Sequence, residues 1–518
     1  MAGRTLSISD RSGISAAALV VVLILGALLA VISRAELGAG FAASDWAAFR
    51  FTIWQAVLSS LISVVLAIPV ARALARRRFI GRSVLVTLLG APFILPVIVA
   101  VLGLLTVFGR NGWLNVVLGA MELPAVSIYG LHGVVLAHVF FNLPLATRLL
   151  LQGWQTLPAE RFRLAAQLRL TPWAFFRTME WPLLRQVVPG VAALIFVICL
   201  TSFAVALTLG GGPRATTIEL AIYQAFRFDF DLGRAALLSV GQLLLAGGAA
   251  LVALWIIPAI SLGGGQDRPL LRWDARGGAQ RWLDTVVITC AAAFLLLPLV
   301  AVLLRGLAGF SVMPSVVWQA AGASLWVALI SVLVLCAIAL PMAGWIASRR
   351  AGGVEAIGLL GLSASPLMIG TGWFILINPV LDPAAVSLPV TAVVNALMAL
   401  PFCLRILVPP LRDTLQVFGR QAQTLGLSGW ALWRWLILPR LAPQLGFATG
   451  LTGALSIGDL GVIALFANAE RATLPLQMYR LMGAYQMEAA AGAALLLLIL
   501  ALLIFWTCDA GGRRFAET

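Results

Sequence analysis

The sequence predicts an all-α polytopic membrane protein, with about twelve membrane-spanning helices arranged in two homologous halves. Three observations carry this. Of 518 residues, 61% are hydrophobic and 11% charged, with a mean hydropathy of +1.02. A chain so poor in polar side chains cannot clothe a water-facing surface, so most of it must face lipid. The apolar residues gather in long unbroken runs, and one polar stretch occurs twice in register.

A helix needs about 20 apolar residues to cross a bilayer. Runs of that kind lie at 14–33, 52–75, 83–108, 128–150, 187–209, 235–262, 282–304, 319–347, 355–378, 388–410, 443–466 and 486–507. The first follows Arg4 and Arg11 as a secretory signal would. Its apolar run is too long and lacks a small-residue cleavage site, so it is expected to stay as a helix. All 35 basic residues are Arg. With both termini cytoplasmic, 26 of them fall inside, and Arg34, Arg50, Arg110, Arg214, Arg227, Arg234, Arg305, Arg471 and Arg480 fall outside, as the positive-inside rule requires.

The same inventory excludes whole classes of function. Without Lys there is no Walker A loop, whose Lys contacts the β/γ-phosphates, and no Schiff-base chemistry. The net charge of +15 would suit nucleic acid, but the Arg sit in short groups between apolar runs, where topology places them, so no nucleic-acid partner is expected. Cys199, Cys290, Cys336, Cys403 and Cys508 stand singly and read as small core residues. His132 and His138 share one apolar run without a nearby carboxylate or Cys, which favours polar packing between helices over a metal site. An enzyme's carboxylate pair or nucleophile with a base is not recognisable. A proton-coupled secondary transporter, the rival from another class, would need an acid/His relay inside the spans; its commonest form also carries an Asp after the second span, and Arg72–Arg82 has none.

The two halves show most clearly in stretches 151–186 and 411–442, which are too long and polar for simple turns. At an offset of 257, Arg163, Ala165, Leu168, Leu170, Trp173, Ala174, Arg177 and Pro182 meet Arg420, Ala422, Leu425, Leu427, Trp430, Ala431, Arg434 and Pro439. Pro144 and Arg148 meet Pro401 and Arg405 in the same register, and Arg214-Ala215-Thr216 meets Arg471-Ala472-Thr473. Similar composition alone does not align Arg, Trp and Pro in a polar loop. Earlier helices are expected to pair through Trp54-Gln55-Ala56 and Trp318-Gln319-Ala320, each span ending in a basic cluster, Arg76-Arg77-Arg78 or Arg349-Arg350.

The chain therefore divides into a first helix with its external loop (1–49), a first membrane domain (50–262), a linker (263–281), a further helix and loop (282–316), a second membrane domain (317–508) and a tail (509–518). Repeats in membrane proteins commonly set a pathway between them.

Each copy of the polar loop starts with a helix-forming run, Arg161–Leu170 or Gly419–Leu427, turns, and ends at Pro182 or Pro439 before the next span. Its exposed face is expected to offer Ala165, Ala166 and Ala422 beside Arg and Trp. Small residues let a partner backbone approach, and Arg and Trp anchor interfaces. The alternative is an amphipathic helix lying on anionic headgroups.

The spacing of this loop resembles the cytoplasmic signature of type I ABC importer permeases: Glu-Ala-Ala, three residues, Gly, nine residues, then Ile-x-Leu-Pro. The second copy reads Arg420-Gln421-Ala422, Gly426, Leu436-Ile437-Leu438-Pro439. The first reads Arg163-Leu164-Ala165, Arg169, Met179-Glu180-Trp181-Pro182, with Arg169 at the Gly position. Neither copy has the Glu; Arg163 and Arg420 stand there. The resemblance implies two type I permease domains whose loops (Arg163, Ala165, Ala166, Arg169 and Pro182; Arg420, Ala422, Gly426 and Pro439) seat on a separate ATP-binding cassette ATPase present in two copies. It implies ATP-Mg bound by that ATPase, no cofactor on this chain, a periplasmic solute-binding protein, and a place in the bacterial inner membrane.

Within the family the chain is most similar to the fused thiamine-importing permeases. The stretches are Leu136–Asn142, Leu209–Pro213 with Ala215–Ala225, and Leu455–Gly461. Fused iron(III) permeases share the architecture, so iron(III) or another small solute is the alternative cargo.

Ionisable residues inside spans are costly and often functional. The clearest is Asp459, in Ser-Ile-Gly-Asp-Leu-Gly near the outer end of the eleventh span, with no matching acid around Ser202-Phe203-Ala204-Val205. It is expected either to face a pathway and favour a cationic solute such as thiamine, or to cap a half-helix between Gly458 and Gly461. The 17 Trp read chiefly as an interfacial belt.

Overall fold

The computed structural model describes residues 10–36, 38, 40–90, 94–212, 215–256, 277–349, 365–467 and 471–517. Its principal helices are α1 (Asp10–Arg34), α2 (Ala43–Arg76), α3 (Val97–Phe108), α4 (Leu131–Gln155), α5 (Trp181–Leu200), α6 (Leu232–Ile256), α7 (Gly278–Gly309), α8 (Ser315–Arg349), α9 (Pro366–Ile377), α10 (Ser387–Thr424), α11 (Leu438–Ile457) and α12 (Met487–Glu517). No strand occurs among the described residues. Among the described residues eleven stretches are long and apolar enough to cross a membrane, and α9 is an apolar helix of 12 residues at the place of the ninth predicted span. The rest of that span, 355–364, lies outside the described residues, as do Arg214, Arg350 and the linker up to 276.

The predicted boundaries need several corrections, each with a local cause. The third span is not one helix: Arg82–Leu88 and α3 are separate, with Pro96 as the N-cap of α3, and a residue before Pro is steered out of the helical region. The fifth and eleventh spans each break near their far end. The tail expected from 509 gives way to helix, because α12 runs on to Glu517 without a Pro to stop it. Mid-helix prolines (Pro69, Pro144, Pro298, Pro341 and Pro401) are tolerated as in other membrane helices, where neighbouring elements satisfy the freed carbonyls.

Each half is built the same way. In the first, α2 packs along α4 and both pack on α5, with α6 behind; in the second, α8 packs along α10, both pack on α11, and α12 lies behind. The register between α2 and α8 differs from the expected one. Thr52 Oγ1 accepts from Ile218 N at 2.9 Å and Ser324 Oγ accepts from Leu474 N at 2.7 Å. Thr52 and Ser324, Ser59 and Ser331, and Pro69 and Pro341 all stand 272 positions apart. The Trp-Gln-Ala match at 264 is thus displaced by about two helical turns, a coincidence of short apolar sequence.

The first helix of each half crosses to the other. α1 packs on α8 and α9, and α7 packs on α2 and α3. The crossings are close because glycine allows it. A Cβ on Gly103 of α3 would meet the carbonyl oxygen of Pro298 in α7 at 2.5 Å, and one on Gly372 of α9 would collide with the backbone of Ala27 in α1. A buried ion pair reinforces one crossing: Arg77 Nε lies 2.7 Å from Asp284 Oδ2 and an Arg76 amino nitrogen 3.4 Å from Oδ1, joining the end of α2 to the start of α7. A large hydrophobic core with residues from both halves results, beside a small separate cluster of Ala30, Val31, Ala236 and Ile375.

Candidate functional site

Two features stand out from this frame: the pair of polar loops at one end of the bundle, and a cavity between the halves deeper in.

In the first loop a short helix, Ala159–Gln167, follows Pro158 and stops at Arg169, whose φ is +48°. Leu170 N donates to Ala165 O and Arg169 N to Ala166 O, each at 3.1 Å. In the second loop Gly426 has φ +66°, Leu427 N donates to Ala422 O at 2.9 Å, and Gly426 N donates to Gln423 O at 3.1 Å. Both are Schellman caps, which need a left-handed residue and usually take Gly. Arg169 therefore keeps the geometry that Gly426 reaches without strain.

The loops differ at their entrances. The second lacks a separate helix, because α10 continues to Thr424; Pro158 of the first copy has Leu415 as its counterpart, and only Pro forces the break.

The expected exposed face also needs correcting. Ala165 and Ala422 are buried against their own chain, where they carry the cap carbonyls, while Ala166, Arg163 and Arg420 are exposed. Arg169 and Gly426 are exposed at the turns, Pro182 is exposed and Pro439 half-buried in the first turns of α5 and α11. Trp173 and Trp430 project at equivalent positions, 69% and 71% exposed, as do Leu168 and Leu425, and Trp435 projects beside them in the second loop.

Each loop rejoins its span through a π-helical turn, Phe176–Glu180 or Trp433–Ile437, again 257 apart. Here the halves diverge chemically. Glu180 is fully buried and accepts from Arg72 Nε of α2 at 2.7 Å and from Trp154 Nε1 of α4 at 3.2 Å. At the corresponding positions the second half has Ile437, Gly344 and Leu411. The polar cluster at the root of the first loop is apolar in the second.

The cavity, of about 410 Å³, lies where α5 and α11 break. α5 stops at Leu200, Thr201-Ser202-Phe203 is not helical as a run, and Ala204–Leu209 resumes; α11 stops at Ile457 and Gly461–Phe466 resumes after Gly458-Asp459-Leu460. Ser, Thr, Asp and Gly offer the backbone alternatives to the helix. The break strands carbonyls, and amide side chains from neighbouring helices take them up. Gln55 Nε2 donates to Cys199 O and Gln242 Nε2 to Leu200 O, both at 2.9 Å, and Asn395 Nδ2 donates to Ser456 O at 3.3 Å.

Asp459 caps a helix fragment at this break and borders the cavity, its Oδ1 accepting from Gly461 N at 3.2 Å. Its counterpart is Ser202. The first half nevertheless brings an acid to the site by another route, which sequence reasoning passed over. Glu219, in the first turn of Ile218–Arg227 after the Thr217 cap, borders the cavity, is fully buried, and accepts from Gln242 Nε2 at 3.1 Å. An acid in a first helical turn reads as ordinary dipole compensation, so only the fold reveals the placement. His138 packs between helices as expected, its Nδ1 3.3 Å from Ser59 Oγ, and it too faces the cavity. His132 does not line it. Among the described residues no Arg does either. The site thus combines acids, amides and phenyl rings in one cavity between the halves, a lining that suits an uncharged or cationic solute.

No protein-family model matches the chain. Curated proteins do. The thiamine transport system permease protein ThiP of Escherichia coli is 42% identical over 514 residues, covering 95% of each chain. Its namesake in Brucella abortus is 38% identical over 499 residues, 93% of this chain and 92% of the other. That of Haemophilus influenzae is 34% identical over 470 residues, 88% of this chain and 86% of the other.

Proposed function

Because this chain belongs to the family of thiamine transport system permeases, we propose that it forms the membrane pathway through which an ATP-driven importer moves thiamine. The solute passes between the halves by way of the cavity at the two helix breaks. A periplasmic binding protein delivers it at the end away from the polar loops. Two copies of an ATP-binding cassette ATPase seat on the loops, bind ATP-Mg and supply the energy, since this all-Arg chain carries no Walker A loop of its own. The loop end and both termini face the cytoplasm of a bacterium, and the chain lies in its inner membrane.

The observation that carries the docking assignment is the pairing of Trp173 and Trp430. Two large aromatic side chains stand about 70% exposed at equivalent positions of two loops with the same backbone caps. Exposed Trp flanked by Arg is the composition of a binding anchor. ATP-driven approach of the two ATPases moves the loops, each loop moves its span through the π-turn, and the halves rock about the cavity. Such alternating exposure lets solute enter from one side and leave at the other.

The test is uptake of thiamine into proteoliposomes containing the permease, with candidate ATPase and binding protein added. Uptake requiring ATP and all three components is expected, with competition by thiamine phosphates, which the pathway is proposed to carry as well, and none by ferric iron. Uptake driven by a pH gradient without the ATPase overturns the coupling assignment. ATP-dependent function without thiamine uptake keeps the architecture and directs the search to iron(III).

A further inference from the structure

Away from the central cavity, α10, α11 and α12 leave a groove of about 500 Å³ open at the loop end of the bundle. Its walls are Ile406 of α10, Pro443, Gln444 and Phe447 of α11, and Asp509 and Arg513 of α12. Beside it two backbones touch. A Cβ on Gly446 would lie 2.5 Å from the carbonyl oxygen of Cys508, and one on Gly512 would collide with that of Ala442. Helices in such contact hold the lining residues in fixed places.

The lining divides by chemistry. Phe447, 40% exposed, meets Phe505 edge-on at 5.5 Å and makes the apolar part with Ile406 and Pro443. In the polar part Arg513 Nη2 lies 2.8 Å from Asp509 Oδ2. Gln444 Oε1 is buried and has no hydrogen-bond partner. Buried polar atoms are almost always satisfied, so this acceptor calls for a donor. Gln444 stands within two turns of Leu438, where α11 starts, so the polar part lies at the level where the loop end of the bundle meets the membrane surface.

The corresponding positions of the first half are Leu149, Gln186, Val187, Gly190, Val252 and Ile256, with no charge among them. A face that merely touches acyl chains needs nothing more. The second half adds a cation, an anion and a buried acceptor at the same place, and ionisable groups facing a membrane are costly unless they have a use.

We propose that this groove binds one phosphatidylethanolamine molecule of the surrounding leaflet. The lipid phosphate lies on Arg513, the ammonium between Asp509 and Gln444 Oε1, and the chains along Phe447 and Ile406. Each headgroup charge then meets its opposite, and the ammonium supplies the N–H that Gln444 Oε1 lacks. Other headgroups match less well. A choline has no N–H to give. A phosphoglycerol brings its negative charge beside Asp509 with no cation to offset it. The site does not depend on which solute the permease carries.

The experiment is native mass spectrometry of the full-length permease, released from detergent and titrated with phosphatidylethanolamine, phosphatidylcholine or phosphatidylglycerol of matched chains. The wild type is expected to retain one phosphatidylethanolamine about fivefold more tightly than either other lipid, the size of one partly exposed ionic contact. Asp509→Asn is expected to abolish the preference over phosphatidylglycerol, and Gln444→Leu to reduce the preference over phosphatidylcholine. Arg513→Gln is expected to weaken all three lipids alike, since each carries the phosphate. Glycerophosphoethanolamine, the headgroup without chains, is not expected to displace the lipid. Thermal unfolding of each variant verifies that it is folded.

Equal retention of the three lipids by the wild type overturns the site. So does a preference that survives all three variants, which places the lipid elsewhere. Stronger retention of phosphatidylglycerol overturns the headgroup assignment, and displacement by glycerophosphoethanolamine overturns the lipid as occupant.

Discussion

Arg169 and Gly426 share one backbone conformation, left-handed at the end of two loops separated by 257 residues, although only one of them is a glycine. The cap hydrogen bonds are the same in both. The first loop therefore bears a cost that the second does not, because a side chain in the left-handed region is disfavoured by about 1 kcal/mol or more. Arg169→Gly is expected to stabilise the purified permease by about 1 kcal/mol, and Gly426→Ala to destabilise it by a similar amount. Thermal unfolding of the detergent-solubilised protein reads both shifts, and equal behaviour of the two variants contradicts the shared cap.

The cluster Glu180–Arg72–Trp154 makes a second asymmetry measurable. Removing one member of a buried ion pair leaves the other uncompensated, at about 3 kcal/mol. Glu180→Ile, which installs the counterpart residue, is expected to lose that much. Combining it with Arg72→Ala is expected to recover at least a third of the loss, since the charge no longer lacks its partner. A double-mutant cycle on unfolding free energy measures the coupling; strict additivity refutes it.

The crossing points at Gly103 and Gly372 leave no room for a side chain. Gly103→Leu and Gly372→Leu are each expected to destabilise by about 1–3 kcal/mol through overpacking. Loss of transport is expected to accompany them, because both contacts join a helix of one half to the other. Uptake and unfolding measured on the same preparations decide it, and a silent Gly372→Leu argues against the crossing of α1.

Asp284 offers a fourth test. Its carboxylate serves two guanidinium groups at the junction of α2 and α7, with Asp284 3% exposed. Asp284→Ala is expected to cost about 3 kcal/mol, more than Asp284→Asn, which keeps an acceptor oxygen for Arg77. Protease nicking within 263–281 followed by chromatography is expected to separate the halves more readily in the Ala variant.

How much of this could be read beforehand depended on the kind of residue. The helical class and the loops followed from composition and from Arg, Trp and Pro in polar sequence, where chance matches are rare. Asp459 was legible because an acid amid apolar residues is conspicuous. The register of α2 against α8 was not, since apolar helices reuse few residue types; Pro69 and Pro341 held the true signal, and Trp54 and Trp318 a false one. Glu219 was hidden by its ordinary place in a first helical turn. Asp284 is a lone acid at the start of an apolar run, and only the fold brings Arg76 and Arg77 to it. The inward turn of Ala165 and Ala422 depended on how a short helix rotates against its own span, which a single sequence does not specify.

The crossing of α1 to the second half also has a consequence for how the protein is made. Its partner α9 begins at Pro366, more than 300 residues after α1 ends at Arg34. At roughly 5–20 residues per second of synthesis, the newborn helix waits on the order of 15 seconds to a minute in the bilayer before the surface it belongs to emerges from the ribosome. During that interval the small-residue face around Ala27 is bare to lipid, and the membrane insertion machinery is its natural custodian.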